Sequence, residues 1–139
     1  MWIDVLSVNQ HGSKECSEFS QAQNQADVQA FDSVVQTCTD GTLVVCDFVM
    51  CETYSRAWCL FEWDWTMYYH GREKLKFLGL SEAQADAGQN TIDVERAECF
   101  KAEDKEMILR EIIEKHGSAY DFNEKLKNKW IDVQYGFNT

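Results

Sequence analysis

A chain of 139 residues that is 45% hydrophobic and 13% aromatic is long enough for one domain burying roughly two thirds of its unfolded surface, and no run in it is apolar enough to cross a bilayer. Its formal net charge of −11, from 13 Lys plus Arg against 24 Asp plus Glu, repels phosphate backbones and argues against nucleic-acid binding through a basic face. Lys14 and Arg56 are the only bases before residue 71, so the acidity is concentrated in the first half.

Cysteines at 16, 38, 46, 51, 59 and 99 show no CxxC and no paired metal-ligand spacing. Several lie in apolar segments where a free thiol behaves as a small hydrophobe. A reduced, soluble, cytoplasmic chain without a metal site is the expectation. His11, His70 and His116 are far apart in sequence. The last two each precede a glycine, where a cation suits the carboxyl end of a helix.

In chain order, Trp2-Ile3-Asp4-Val5-Leu6-Ser7-Val8 is apolar on both alternating faces, which predicts a strand covered on both sides of a parallel sheet. Asp4 inside it needs a partner, either a structural hydrogen bond or a ligand. Asn9 and Gln10 follow at the strand's carboxyl end, where open α/β sheets place ligands. Residues 13 to 27 are polar and read as a long loop. Val28, Phe31, Val34 and Val35 then recur at helical spacing, and Asp40-Gly41 supplies a turn.

Thr42-Leu43-Val44-Val45-Cys46-Asp47-Phe48 is nearly continuous in apolar residues and predicts a second strand buried on both faces, with Asp47 at its carboxyl end. The most unusual stretch follows, Tyr54-Ser55-Arg56-Ala57-Trp58-Cys59-Leu60-Phe61-Glu62-Trp63. As a helix over about residues 55 to 70, capped by Thr53 or Ser55, it aligns Trp58, Glu62, Trp65 and Tyr69 on one face. Ala57, Leu60, Phe61, Asp64 and Tyr68 fill the adjoining face. A helix apolar on so many sides packs against more than one neighbour, which predicts Glu62 among rings with little solvent.

Residues 74 to 80 predict a short, partly exposed third strand near a sheet edge. Residues 81 to 91 read as a loop, and 92 to 100 as a short strand or turn. Met107, Ile108, Leu109, Ile112 and Ile113 mark a helix over residues 104 to 116 closed by Gly117. Ser118 caps a last helix carrying Phe122, Leu126 and Trp130, with Lys125, Lys127 and Lys129 as a solvated face. Strands alternating with helices predict one α/β domain over residues 1 to 139 with a parallel sheet.

Trp2-Ile3-Asp4 with Asn9-Gln10-His11, followed by Arg56-Ala57-Trp58-Cys59-Leu60-Phe61-Glu62, resembles Toll/interleukin-1-receptor-like (TIR-like) domains. The residues 92 to 98, with Asp104-Lys105 and Ile108, continue the resemblance, which covers about residues 2 to 133. It implies a flavodoxin-like fold, a three-layer parallel sheet flanked by helices, without the strand and helix with which such domains begin. It also implies one of two functions. Some TIR domains hydrolyse NAD at the nicotinamide-ribosyl bond, which would make Glu62 the catalytic carboxylate and Trp58 its neighbour; Asp4, Asn9, Gln10 and Asp47, carried by the two predicted strands and their carboxyl ends, are the further substrate-binding candidates if strands and helix converge on one crevice. NAD would then be substrate, with no resident cofactor. Others are non-catalytic modules that act by association with themselves or with other TIR-like domains.

Overall fold

The ordering of the chain follows from where its helices can bury an apolar face. The structure, a computed structural model, describes residues 30–45, 52–79 and 81–129. The strand expected at 2 to 8, the loop at 13 to 27, and the residues Asp4, Asn9, Gln10, Asp47 and Trp130 lie outside the described residues. The chain divides into two compact units, residues 1–40 and 41–139. In the first, helix α1 (Phe31–Thr37) buries Phe31 and Val35, two of the positions whose spacing predicted it.

The second unit is mixed α/β and mostly helical. Strand β1 (Thr42–Val45) leads through a 3-10 turn (Glu52–Ser55) into helix α2 (Ala57–His70), and a second such turn (Arg72–Lys74) leads into β2 (Leu75–Leu78). Helices α3 (Glu82–Asn90), α4 (Ala102–His116) and α5 (Ala119–Lys129) follow. The strands β1 and β2 form a two-stranded parallel sheet with Thr42 opposite Leu75 and Val45 opposite Leu78. A parallel pair needs a crossover, and α2 provides it. At the start of β1, Gly41 has φ +96°, and a Cβ there would stand 2.1 Å from the Lys74 carbonyl oxygen. Glycine is what lets the two strand starts approach.

Three expectations change. Strand β1 is not covered on both faces: Val44 is buried, whereas Leu43 and Val45 are 59% and 63% exposed. Alternation, which a run of four apolar residues conceals, is restored by the fold. Residues 81 to 91 are not a loop. Ser81 and Gln84 form a reciprocal capping box, which satisfies the open amino end of α3. Neither Thr53 nor Ser55 caps α2. The residue before the helix, Arg56, is extended and makes no side-chain cap, and the Ala57 N–H donates instead to the Glu98 carbonyl at 2.9 Å.

The core is built on rings. Tyr54, Trp63 and Phe77 meet pairwise at 5.4, 5.3 and 6.3 Å, edge-on for the two Trp63 pairs, an arrangement that aromatic quadrupoles favour. Leu60, Ile108, Ile112, Phe122 and Leu126 are also buried and bind α2, α4 and α5 together. At about 2 to 3 kcal/mol for each fully buried large side chain, these contacts outweigh the weak intrinsic helix preference of a segment as aromatic as α2.

Candidate functional site

Helix α2 presents two acids to two environments. Glu62 lies with Trp58, Trp65 and Tyr69 on a half-buried face. The rings form a ladder along it: Trp58 to Phe61 at 6.0 Å, Phe61 to Trp65 at 5.9 Å, and Trp65 stacked on Tyr69 at 5.3 Å. The shared face for Trp58, Glu62, Trp65 and Tyr69 therefore matches the sequence expectation. The depth of burial differs: Glu62 is only half-buried, and Tyr68, expected on the adjoining face with Leu60 and Asp64, is 63% exposed.

The acid that is walled in is Asp64. It is 1% exposed and bonded through Oδ2 to Lys115 Nζ at 2.6 Å and to His116 Nε2 at 2.9 Å, with Lys125 Nζ 3.9 Å from Oδ1. The Lys115 ammonium also lies 4.1 Å from the Trp65 ring centre and 4.4 Å from that of Tyr68, a cation–π arrangement. Burial still holds its amine below the usual 10.5, against the pull of Asp64. His116 is thus a partner of a buried carboxylate, its ring edge-on to Phe122 at 5.3 Å, as well as a residue of the last helical turn. Lys125 belongs partly to this cluster and not to a purely solvated face, while Lys127 pairs with Glu124 at 3.5 Å. Three basic groups on α4 and α5 are thereby tied to α2. Sequence reasoning missed the cluster, although Leu60, Asp64 and Met67 recur at helical spacing on one face.

The height of Glu62 along the sheet is fixed by a hydroxyl pair. Thr66, fully buried, donates to the Glu62 carbonyl at 2.9 Å and lies 2.6 Å from the Thr42 hydroxyl. A hydroxyl has one proton, so with Thr66 donating to the carbonyl, Thr42 donates to Thr66. The contact joins α2 to the first residue of β1. As the crossover between parallel strands, α2 runs back along them. Trp58, eight residues before Thr66, lies ~12 Å further toward the carboxyl end, a distance comparable with the ~10 Å rise of β1. Glu62 lies halfway, about one helical turn from each.

A separate open hollow of about 530 Å³ lies between the end of α3, the turn over residues 91–96 and α5, with Asp93, Arg96, Tyr120 and Asn123 among its walls; neither Trp58 nor Glu62 lines it. Among the described residues no group of His, Cys, Asp and Glu is arranged to hold a metal ion, and no helix is long and apolar enough to cross a membrane. Cys38, Cys59 and Cys99 carry free thiols, and burial pushes the Cys99 thiol above 9.0, away from the thiolate that reactivity requires.

No protein-family model, curated protein or solved structure matches the chain.

Proposed function

We propose that the chain is a TIR-like signalling domain with a flavodoxin-like parallel sheet, and that it cleaves NAD at the nicotinamide-ribosyl bond with Glu62 as the catalytic carboxylate. The observation that carries this reading is the placement of Trp58 and Glu62: a half-buried ladder of rings running toward the carboxyl end of β1, the edge at which open α/β sheets bind ligands. In the reaction the bond between the ribose anomeric carbon and the nicotinamide nitrogen breaks, and nicotinamide leaves with the bonding pair. Water adds to the anomeric carbon and loses a proton. A carboxylate beside that carbon stabilises the oxocarbenium-like charge that develops, and Trp58 supplies a surface on which a ring of the dinucleotide stacks. Asp4, Asn9, Gln10 and Asp47 are the further substrate contacts of this reading, which acts in a reducing cytoplasmic setting. Incubation with NAD is expected to release nicotinamide from the unaltered protein and to lose at least about a hundredfold in rate on Glu62→Gln, the effect of removing a positioned catalytic group. Equal release from both proteins removes Glu62 from the chemistry.

A second reading is favoured by a different observation. Leu43 and Val45, two apart and therefore on one face of β1, are 59% and 63% exposed, and they supply the start of an apolar patch of the kind through which domains associate. On this reading the domain signals by self-association or by pairing with other TIR-like domains, with no nicotinamide release. Sedimentation over a wide concentration range tests its self-association form: reversible oligomers that Leu43→Lys abolishes support it, and a strict monomer removes self-association from the reading.

A further inference from the structure

The amino end of α2, which presents Trp58, is held by a segment remote in sequence. Glu98 pairs with Arg56 as an isolated parallel bridge. The Glu98 N–H donates to the Ser55 carbonyl at 2.6 Å, and the Glu98 carbonyl accepts from Ala57 N–H at 2.9 Å. That second bond satisfies one of the open donors at the start of α2, where no side chain caps. A bridge of two bonds with no strand behind it has little stability of its own.

The segment leading to Glu98 is a tight turn. Arg96 and Ala97 N–H both donate to the Asp93 carbonyl, and Asp93 Oδ1 accepts from Glu95 N–H. Asn123 of α5 anchors its other end, accepting from Val94 N–H at 3.0 Å. Val94 and Ala97 are buried, so their carbonyls need donors. A single group supplies both: the Lys105 ammonium donates to the Val94 carbonyl at 2.6 Å and to the Ala97 carbonyl.

Lys105 occupies an unfavourable place for a cation. It is the fourth residue of α4, at the end of the helix whose dipole is positive. Burial pushes its amine below 10.5 even though Cys99, Asp93 and Glu95 pull the other way. A cation held there against both effects is compensated by the two carbonyls it binds.

We propose that Lys105 is a positioning residue: a charge clamp that closes the turn over residues 93–97 and, through the Glu98 bridge, sets the amino end of α2 on which Trp58 stands. The clamp stands whether or not Glu62 turns over NAD, because its signature is in backbone protection.

Amide hydrogen exchange on the full chain, resolved by residue, tests it. Lys105→Met is expected to accelerate exchange at Ala57, Ala97 and Glu98 by about tenfold or more, the scale of a lost charge-assisted hydrogen bond, while Ile112 in the middle of α4 changes far less. Lys105→Arg, which keeps the charge and the donors, is expected to restore most of the protection. A uniform acceleration across the molecule, or none at the three amides, overturns the proposal. Should the methionine variant not fold, the unaltered protein decides. One clamp releasing all three amides gives them a common opening free energy, and three unrelated values overturn the proposal without any substitution.

Discussion

Glu62 and Asp64 stand two residues apart on one helix and about 200° apart around it. One shares a half-buried ladder of rings with Trp58 and Trp65. The other is sealed among Lys115, His116 and Lys125. The difference shows that an acid's burial in an aromatic run is decided by which face of the helix meets its neighbours and not by how many rings surround it in sequence. α4 and α5 bury the Leu60 and Asp64 side, so the acid there acquires partners and a structural duty. The acid on the other side stays half-buried beside its rings.

That comparison is broken most forcefully at Asp64. Its removal by Asp64→Ala leaves the buried ends of Lys115 and His116 without their carboxylate, and breaking one partner of a buried ion pair costs about 3 to 5 kcal/mol; the partial exposure of Lys115 (20%) and Lys125 (34%) sets the expectation at about 3. Glu62→Gln is expected to shift stability by less than about 1 kcal/mol. Urea unfolding of the two variants, compared at unchanged slope, checks both at once. Similar losses for both would mean that the two faces are energetically alike and that Glu62 is also committed to the fold.

The contrast between the two acids also marks what the sequence could reveal. Helices α1 and α4 were legible because Phe31 and Val35, and Ile108 and Ile112, repeat with the helical period and are the residues the fold buries. The face shared by Trp58, Glu62, Trp65 and Tyr69 was legible for the same reason. Helix α3 was missed because alanine, glutamine and glycine carry little apolar signal, although the spacing of Ser81 and Gln84 was a start signal available to be read. The Asp64 to Lys115 pair spans 51 positions, and nothing local announces it. The Lys105 clamp was less visible still, since its acceptors are backbone carbonyls, which every residue has.

A smaller effect sharpens the contrast from the side of the aromatic core that α3 covers. Gly88 sits in the last turn of α3, and alanine in place of a helical glycine normally improves a helix by up to about 1 kcal/mol. Here a Cβ would stand 2.7 Å from the Tyr54 ring, and Tyr54 is pinned between Trp63 and Phe77. Gly88→Ala is therefore expected to destabilise by about 1 to 2 kcal/mol, since overpacking a fixed ring outweighs the gain in propensity. In a Tyr54→Leu background, which removes the obstructing ring, the same change is expected to become neutral or stabilising. A stabilising Gly88→Ala in the unaltered protein would show that α3 can move off the core, and that the rings behind α2 are held less firmly than their contacts indicate.

The finest test concerns the cation that bridges the two faces, Lys115, which binds Asp64 and also lies against Trp65 and Tyr68. Two effects oppose each other at its amine: the carboxylate at 2.6 Å favours the charged form, and burial, the larger of the two, disfavours it. With the folded value held below 10.5, the unfolded chain binds more protons than the folded one in the window just beneath 10.5, so stability rises with pH there. The unaltered protein is thus expected to gain on Lys115→Met as pH climbs through the folded value toward 10.5, with a constant offset at lower pH. Paired urea titrations from about pH 8 to pH 10.5, the unfolded lysine value, read this difference directly. A difference that shrank instead would mean that the folded amine binds its proton more tightly than the unfolded one. Asp64 would then hold its cation strongly enough to overcome burial, and the sealed face of α2 would be an attractive electrostatic anchor in its own right, beyond being a place where charges are tolerated because they are paired.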